Sequence, residues 1–122
     1  MHLVIRQQVI DDLQRPARRA FAERVCTHLR EAHGAFVAHL ADDALLRRVE
    51  AGLGLARRQG VRTQRGLALF VTIQFRACPD FSSHPLVSRY FTDSPGQGDY
   101  ALKRLVVEMT REDWAAVTGG RQ

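Results

Sequence analysis

The chain has 122 residues, enough for one domain and too few for two independently stable ones. Hydrophobic residues make up 45% of it and the net charge is a modest +5, so composition excludes intrinsic disorder. The longest apolar-rich run, Leu67 to Phe75, is interrupted by Thr72 and Gln74 and is too short to span a bilayer.

The charge excess points to an acidic partner. It is concentrated in the first half of the chain, and Lys103 is the single lysine among 18 basic residues. Arginine suits bidentate contacts to carboxylate or phosphate, although codon bias in a GC-rich genome produces the same skew. Met1 to Arg6 has neither a long apolar region nor a small-residue cleavage site, so it does not read as a signal peptide, and a cytoplasmic protein is expected. Cys26 and Cys78 lie in apolar, helix-like surroundings without CxxC or metal-ligand spacing and read as buried free thiols.

In chain order, residues 7–32 predict a helix or a kinked pair. Val9, Leu13, Ala17, Phe21, Val25 and Leu29 recur at steps of four and form one apolar stripe. Pro16 predicts a kink or a restart within it, because proline removes a backbone donor and disfavours helix at Arg15. Gly34 ends the segment, and a linker carries Phe36, Val37 and Leu40. A second helix runs from Asp42 or Asp43 to Gln59, with Leu45, Val49, Leu53 and Ala56 on its core face. Gly52 and Gly54 weaken this helix by roughly 1 kcal/mol each relative to alanine, so their presence implies close approach of a neighbour. Gly60 is its C-terminal stop.

Thr63 predicts the N-cap of a third helix running to about Ala77. A capping box would need Glu or Gln at position 66, where Gly66 stands, so only the hydroxyl half of the motif is present. Leu67, Leu69, Phe70, Val71, Ile73 and Phe75, with Cys78 after them, make this helix apolar nearly all round, which places it at the centre of a bundle. Residues 79–85 predict a turn, Leu86–Thr92 a short helix and 94–98 a loop. A last helix is predicted over about 99–117, with Leu102, Leu105, Val106 and Met109 on one face and Trp114 and Val117 closing the core from the end.

Chemistry-bearing constellations are sparse. His28, His33 and His39 lack the i, i+4 spacing of a helical metal pair, so no metal and no cofactor is expected. Cys26 and His28 cannot face each other on one helix, and Cys78 with His84 is conceivable across a turn but better explained by a core cysteine. The pairs Asp11–Asp12, Asp42–Asp43 and Glu112–Asp113 read mainly as helix-start acids. The segment around Gly60 to Thr63 superficially resembles a helix-turn-helix, but the helix after the turn is the most apolar in the chain and cannot present polar groups to base edges. Nonspecific nucleic-acid binding through arginines remains an alternative. The sequence therefore points to a binding protein and not to an enzyme.

Several segments together resemble the family of small helical proteins encoded beside type VI secretion spike and effector genes in proteobacteria. They are Phe21 to Arg30 (FAERVCTHLR), Asp43 to Leu46 (DALL), Ala56 to Arg65 (ARRQGVRTQR), Phe70 with Val71, Phe75, Cys78 to Phe81 (CPDF) and Pro85. The resemblance spans roughly residues 5–92. Gln59 stands where the family usually has an aromatic residue, Ser82 and His84 replace acids after Phe81, and the chain diverges from Tyr100. The resemblance implies an accessory protein of a toxin cluster, either an adaptor or chaperone that holds an effector or spike-associated protein, or an immunity protein. It implies no catalytic residues.

The expected fold is all-α, a single-domain bundle of four to five helices around a central apolar helix at about 63–78. The expected contact is the basic face of Arg47, Arg48, Arg57 and Arg58, extended to Arg62 and Arg65.

Overall fold

The computed structural model describes residues 2–119, with side chains from Arg15 onward. The fold is all-helical, with seven α-helices and no strand among the described residues. They are α1 (His2–Ala32), α2 (Gly34–Val37), α3 (Asp42–Arg58), α4 (Gln64–Arg76), α5 (Pro85–Asp93), α6 (Gly98–Glu108) and α7 (Arg111–Val117), with a 3-10 turn at Phe81–Ser83. The chain divides into two compact units, residues 1–50 and 51–122, the boundary falling within α3.

In the first unit, α1 runs unbroken through Pro16 instead of restarting there. Pro16 is exposed, and in a helix of 31 residues the loss of one backbone hydrogen bond is a local cost that the flanking turns can outweigh. The apolar stripe is shorter than its periodicity implies. Ala22, Val25 and Leu29 are buried and Phe21 is half-buried, whereas Ala17 is exposed; Val9 and Leu13 lie outside the described side chains. The linker expected after Gly34 contains a single helical turn, α2, with Val37 fully buried.

Arg30 fixes the path from α1 into α3. Its guanidinium donates to the carbonyl oxygens of Val37 (2.9 Å) and Leu40 (2.7 Å) and to the Asp42 carboxylate (2.9 Å). One planar donor fork thus ties the last carbonyl of α2, which also accepts from the Leu40 amide at 3.0 Å, to the Leu40 carbonyl and to the start of α3. Both Asp42 and Asp43 fall in the first turn of α3, where acids suit the helix dipole.

In the second unit, the end of α3 is a Schellman motif. The Gly60 amide donates to Arg57 and the Val61 amide to Ala56, both at 3.0 Å, and Gly60 takes φ of +87°. The Thr63 hydroxyl caps α4 by accepting from the Gly66 amide at 3.0 Å, as its sequence position predicts. Leu67, Phe70 and Val71 of α4 are buried, and Phe70 meets Phe81 and Phe91 with ring centroids at 4.9 and 6.2 Å. Gln74 is buried on the same helix and donates to the Pro79 carbonyl at 2.9 Å.

Gly52 confirms the predicted close approach and Gly54 does not. A side chain at Gly52 would collide with the Gln74 amide and Val71, whereas at Gly54 it would meet no more than the flexible end of Arg58 at 3.6 Å. The long last helix is two helices. Met109 is extended, and Thr110 with Asp113 forms a complete capping box that restarts the chain as α7. Val117 is buried and Trp114 half-buried.

Candidate partner-binding surface

The six arginines singled out by sequence have unequal surroundings. In the first unit, Arg47 is exposed and sits 3.4 Å from Asp43, a pair with side chains 71% and 77% exposed and therefore of little energetic weight. Arg48 is also exposed. In the second unit, Arg57 is half-buried, while Arg58, Arg62 and Arg65 are exposed. The structure brings Arg62 and Arg65 to one place, the N-terminal cap of α4 beside the first turn of α6.

That junction is built from close backbone contacts. The Gly98 amide donates to the Gly60 carbonyl at 3.1 Å. A Cβ at Gly98 would strike the backbone of Gln59, Gly60 and Val61, and one at Gly60 would lie 3.0 Å from Gly96 and Gly98 backbone atoms. The approach delivers Asp99 to the α4 cap. Its carboxylate accepts from the Arg62 amide (2.7 Å), the Thr63 amide (3.3 and 3.4 Å) and the Thr63 hydroxyl (2.5 Å). Asp99 thereby supplies, from another helix, the acceptor that a capping box draws from its own third residue. Gly66 stands at that position because a side chain there would overlap the Asp99 carboxylate, Thr63 and Val61. Burial pushes the Asp99 carboxyl up, but the Thr63 hydroxyl and the Arg62 and Thr63 amides outweigh it and hold the group below its ordinary value.

Beside this cap, α4 and α6 frame a groove of about 320 Å³, lined among others by Arg65, Leu69, Leu102, Lys103, Val106 and Val107. Sequence periodicity places Val106 on the core face, but Leu102, Leu105 and Met109 are buried while Val106 is 46% and Val107 79% exposed. Tyr100, on the same helix, is 54% exposed. Helical spacing carries no signal of this exposure, since Val106 stands four residues after Leu102 and within the span of a stripe through Leu105 and Met109. Lys103 is exposed on α6, and with exposed Arg65 it gives the groove a basic rim.

The other chemistry-bearing groups have structural roles. The His84 ring caps α5 by accepting from the Leu86 amide at 3.1 Å, and the Cys78 thiol donates to the Val117 carbonyl at 3.5 Å. Each of these two bonds holds a helix end in place, His84 at the start of α5 and Cys78 at the end of α7. Cys26 and Cys78 form no disulfide; Cys78 is buried as expected, whereas Cys26 is half-buried. Burial pushes the Cys26 thiol up despite the nearby Arg30, the opposite of activation. His28 and His33 stack edge to face with centroids at 5.5 Å. Among the described residues no group of three or more His, Cys, Asp or Glu could hold a metal ion, and no described helix is long and apolar enough to cross a membrane. Asp11 and Asp12 lie outside the described side chains.

Neither a protein-family model, nor a curated protein, nor a solved structure matches this chain.

Proposed function

We propose that the protein is a protein-binding accessory factor of a type VI secretion effector cluster, acting as an adaptor or chaperone for an effector toxin or spike-associated protein. The observation that carries the binding reading is the solvent-facing apolar strip of α6. Val107 is 79% exposed next to half-exposed Val106, and both line the α4–α6 groove. Apolar side chains gathered at the surface and rimmed by polar groups are characteristic of protein contact sites. The secretion context is supported by the resemblance over residues 5–92.

Affinity capture from native lysate, followed by mass spectrometry, tests the reading, with recovery of an effector or spike component expected. Mapping the bound fragment distinguishes an adaptor, which engages a delivery or accessory part, from an immunity protein, which covers the toxin's catalytic part. Reversing Arg57 and Arg58 to Glu is expected to weaken binding of the captured partner by about tenfold, since the basic face acts through charge complementarity, and to lower the melting temperature by a few degrees, since Arg57 is half-buried and both stand in the last turn of α3. Unchanged affinity by calorimetry removes these two arginines from the contact. Recovery of nucleic acid alone, lost at high salt, would replace the protein partner with DNA or RNA.

A further inference from the structure

Resting on the protein-binding reading, we infer that the α4–α6 groove is a docking site for an acidic amphipathic helix of the partner. The groove floor is apolar, with Leu69 from α4 and Leu102 and Val106 from α6, and Val107 stands beside it 79% exposed. On α6 the lining runs from Asp99 to Val107, roughly 12 Å of helix, which accommodates about two turns of a second helix. Helices that occupy such grooves present anchors at i, i+3 or i+4, and i+7.

The rim decides the charge of the occupant. Arg65 and Lys103 line the groove and are exposed. Asp99 is the one carboxylate among the described lining residues, and its oxygens accept from the Arg62 amide and the Thr63 hydroxyl within the cap. With Arg65 and Lys103 set against this single carboxylate, the lining carries a net positive charge. Glu or Asp flanking the anchors of an incoming helix would meet these cations at the edge of a low-dielectric contact, whereas Lys or Arg there would be repelled.

Two fluorescein-labelled helical peptides serve as probes, each with leucine at i, i+3, i+4 and i+7. One carries Glu and the other Lys at the flanking positions. Fluorescence polarisation with the full chain is expected to show saturable binding of the Glu peptide, about tenfold tighter than the Lys peptide and weakening with salt. Val107→Asp and Lys103→Glu should each weaken it by about tenfold, while Arg111→Glu, a matched charge change outside the groove lining, should leave it unaltered. Helicity by circular dichroism verifies that the variants fold; should Val107→Asp unfold, Val107→Ser replaces it.

Equal affinity for both peptides, or binding indifferent to Val107 and Lys103, overturns the proposal. So does micromolar self-association by ultracentrifugation that Val107→Asp abolishes, which would assign the groove to a second copy of the chain. Co-sedimentation with phosphatidylglycerol vesicles that Val107→Asp abolishes, without peptide binding, would assign it to an anionic membrane surface. An effector captured equally by wild type and Val107→Asp removes the groove and leaves the accessory function standing. Glu-peptide binding with no effector captured from lysate leaves the groove and removes the secretion reading.

Discussion

Gly98→Ala is expected to lower stability by about 2–4 kcal/mol and the melting temperature by roughly 10 °C, although it adds a single methyl group. The added Cβ has nowhere to go. Its three nearest neighbours would be the Gln59 carbonyl oxygen, the Val61 amide nitrogen at 2.5 Å and the Gly60 carbonyl carbon at 2.6 Å, all backbone atoms. A flexible side chain could rotate away; the Schellman turn that ends α3 cannot, because Gly60 and Val61 are both committed to its hydrogen bonds. Relief requires backing α6 away from the turn, which stretches the 3.1 Å bond from the Gly98 amide to Gly60 and draws Asp99 off the α4 cap. Gly34→Ala is the matched control. No atom lies within 4 Å of a Cβ there and its backbone is not left-handed, so the substitution should be neutral or stabilising by up to about 1 kcal/mol. Thermal unfolding followed by circular dichroism compares the two. A Gly98→Ala melting temperature within about 2 °C of wild type would show that α6 is not locked to the turn, since even 1 kcal/mol moves a domain of this size by more.

The same junction shows where sequence reading reached its limit. Local signals were sound. The Thr63 cap, the Gly60 stop, the extent of α3 and α4, and the proximity implied by Gly52 are all set by residues within a turn or two of the feature they specify. The absence of Glu or Gln at position 66 was visible as half a capping box, but its cause was not, because the missing acceptor comes from Asp99, 36 residues further along the chain from Thr63. No periodicity reports such a contact. The break at Met109 was overlooked for a different reason. Its signal, Thr110 followed by Asp113, is local, but it interrupts an apolar pattern that carries on through Trp114 and Val117. At Pro16 the reverse holds: the restart that a strong local breaker suggests is absent, because the helix continues on either side of it.

The candidate surface was legible in charge and illegible in shape. Arg62 and Arg65 could be named from sequence as part of a basic face. Lys103, Val106 and Val107 could not, since their relevance depends on α6 lying beside the α4 cap with its core stripe turned away from them. Arg47 and Arg48 were grouped with the others by helical spacing alone, and Arg47 stands 3.4 Å from Asp43, one turn back on the same helix.

Asp99→Ala is expected to cost about 1–3 kcal/mol, because it strips a charged acceptor from two amides and a hydroxyl at once. The lower half of that range is the better guide where solvent reaches the carboxylate and screens it. Asp99→Asn separates charge from geometry: the amide oxygen can still accept from the Arg62 or Thr63 amide, but the second acceptor becomes a donor facing donors. The pH dependence follows from the depressed carboxyl value. At neutral pH the folded and unfolded chains both carry the ionised group, and the full advantage over Asp99→Asn is present. As pH falls below the ordinary value of 3.8, the unfolded chain takes up a proton first, and the advantage disappears as pH passes through the lower folded-state value. Denaturant titrations of wild type and Asp99→Asn should therefore give a stability difference that is constant between about pH 7 and pH 5 and shrinks below about pH 4, with the other carboxylates cancelling because both proteins share them. Thr63→Val should lose the cap and the Asp99 partner together. Its combination with Asp99→Ala should cost less than the sum of the two single changes, since the hydroxyl and the carboxylate meet at 2.5 Å. A stability difference that stays level down to about pH 3, or strictly additive single and double changes, would mean that α6 does not cap α4 through this carboxylate.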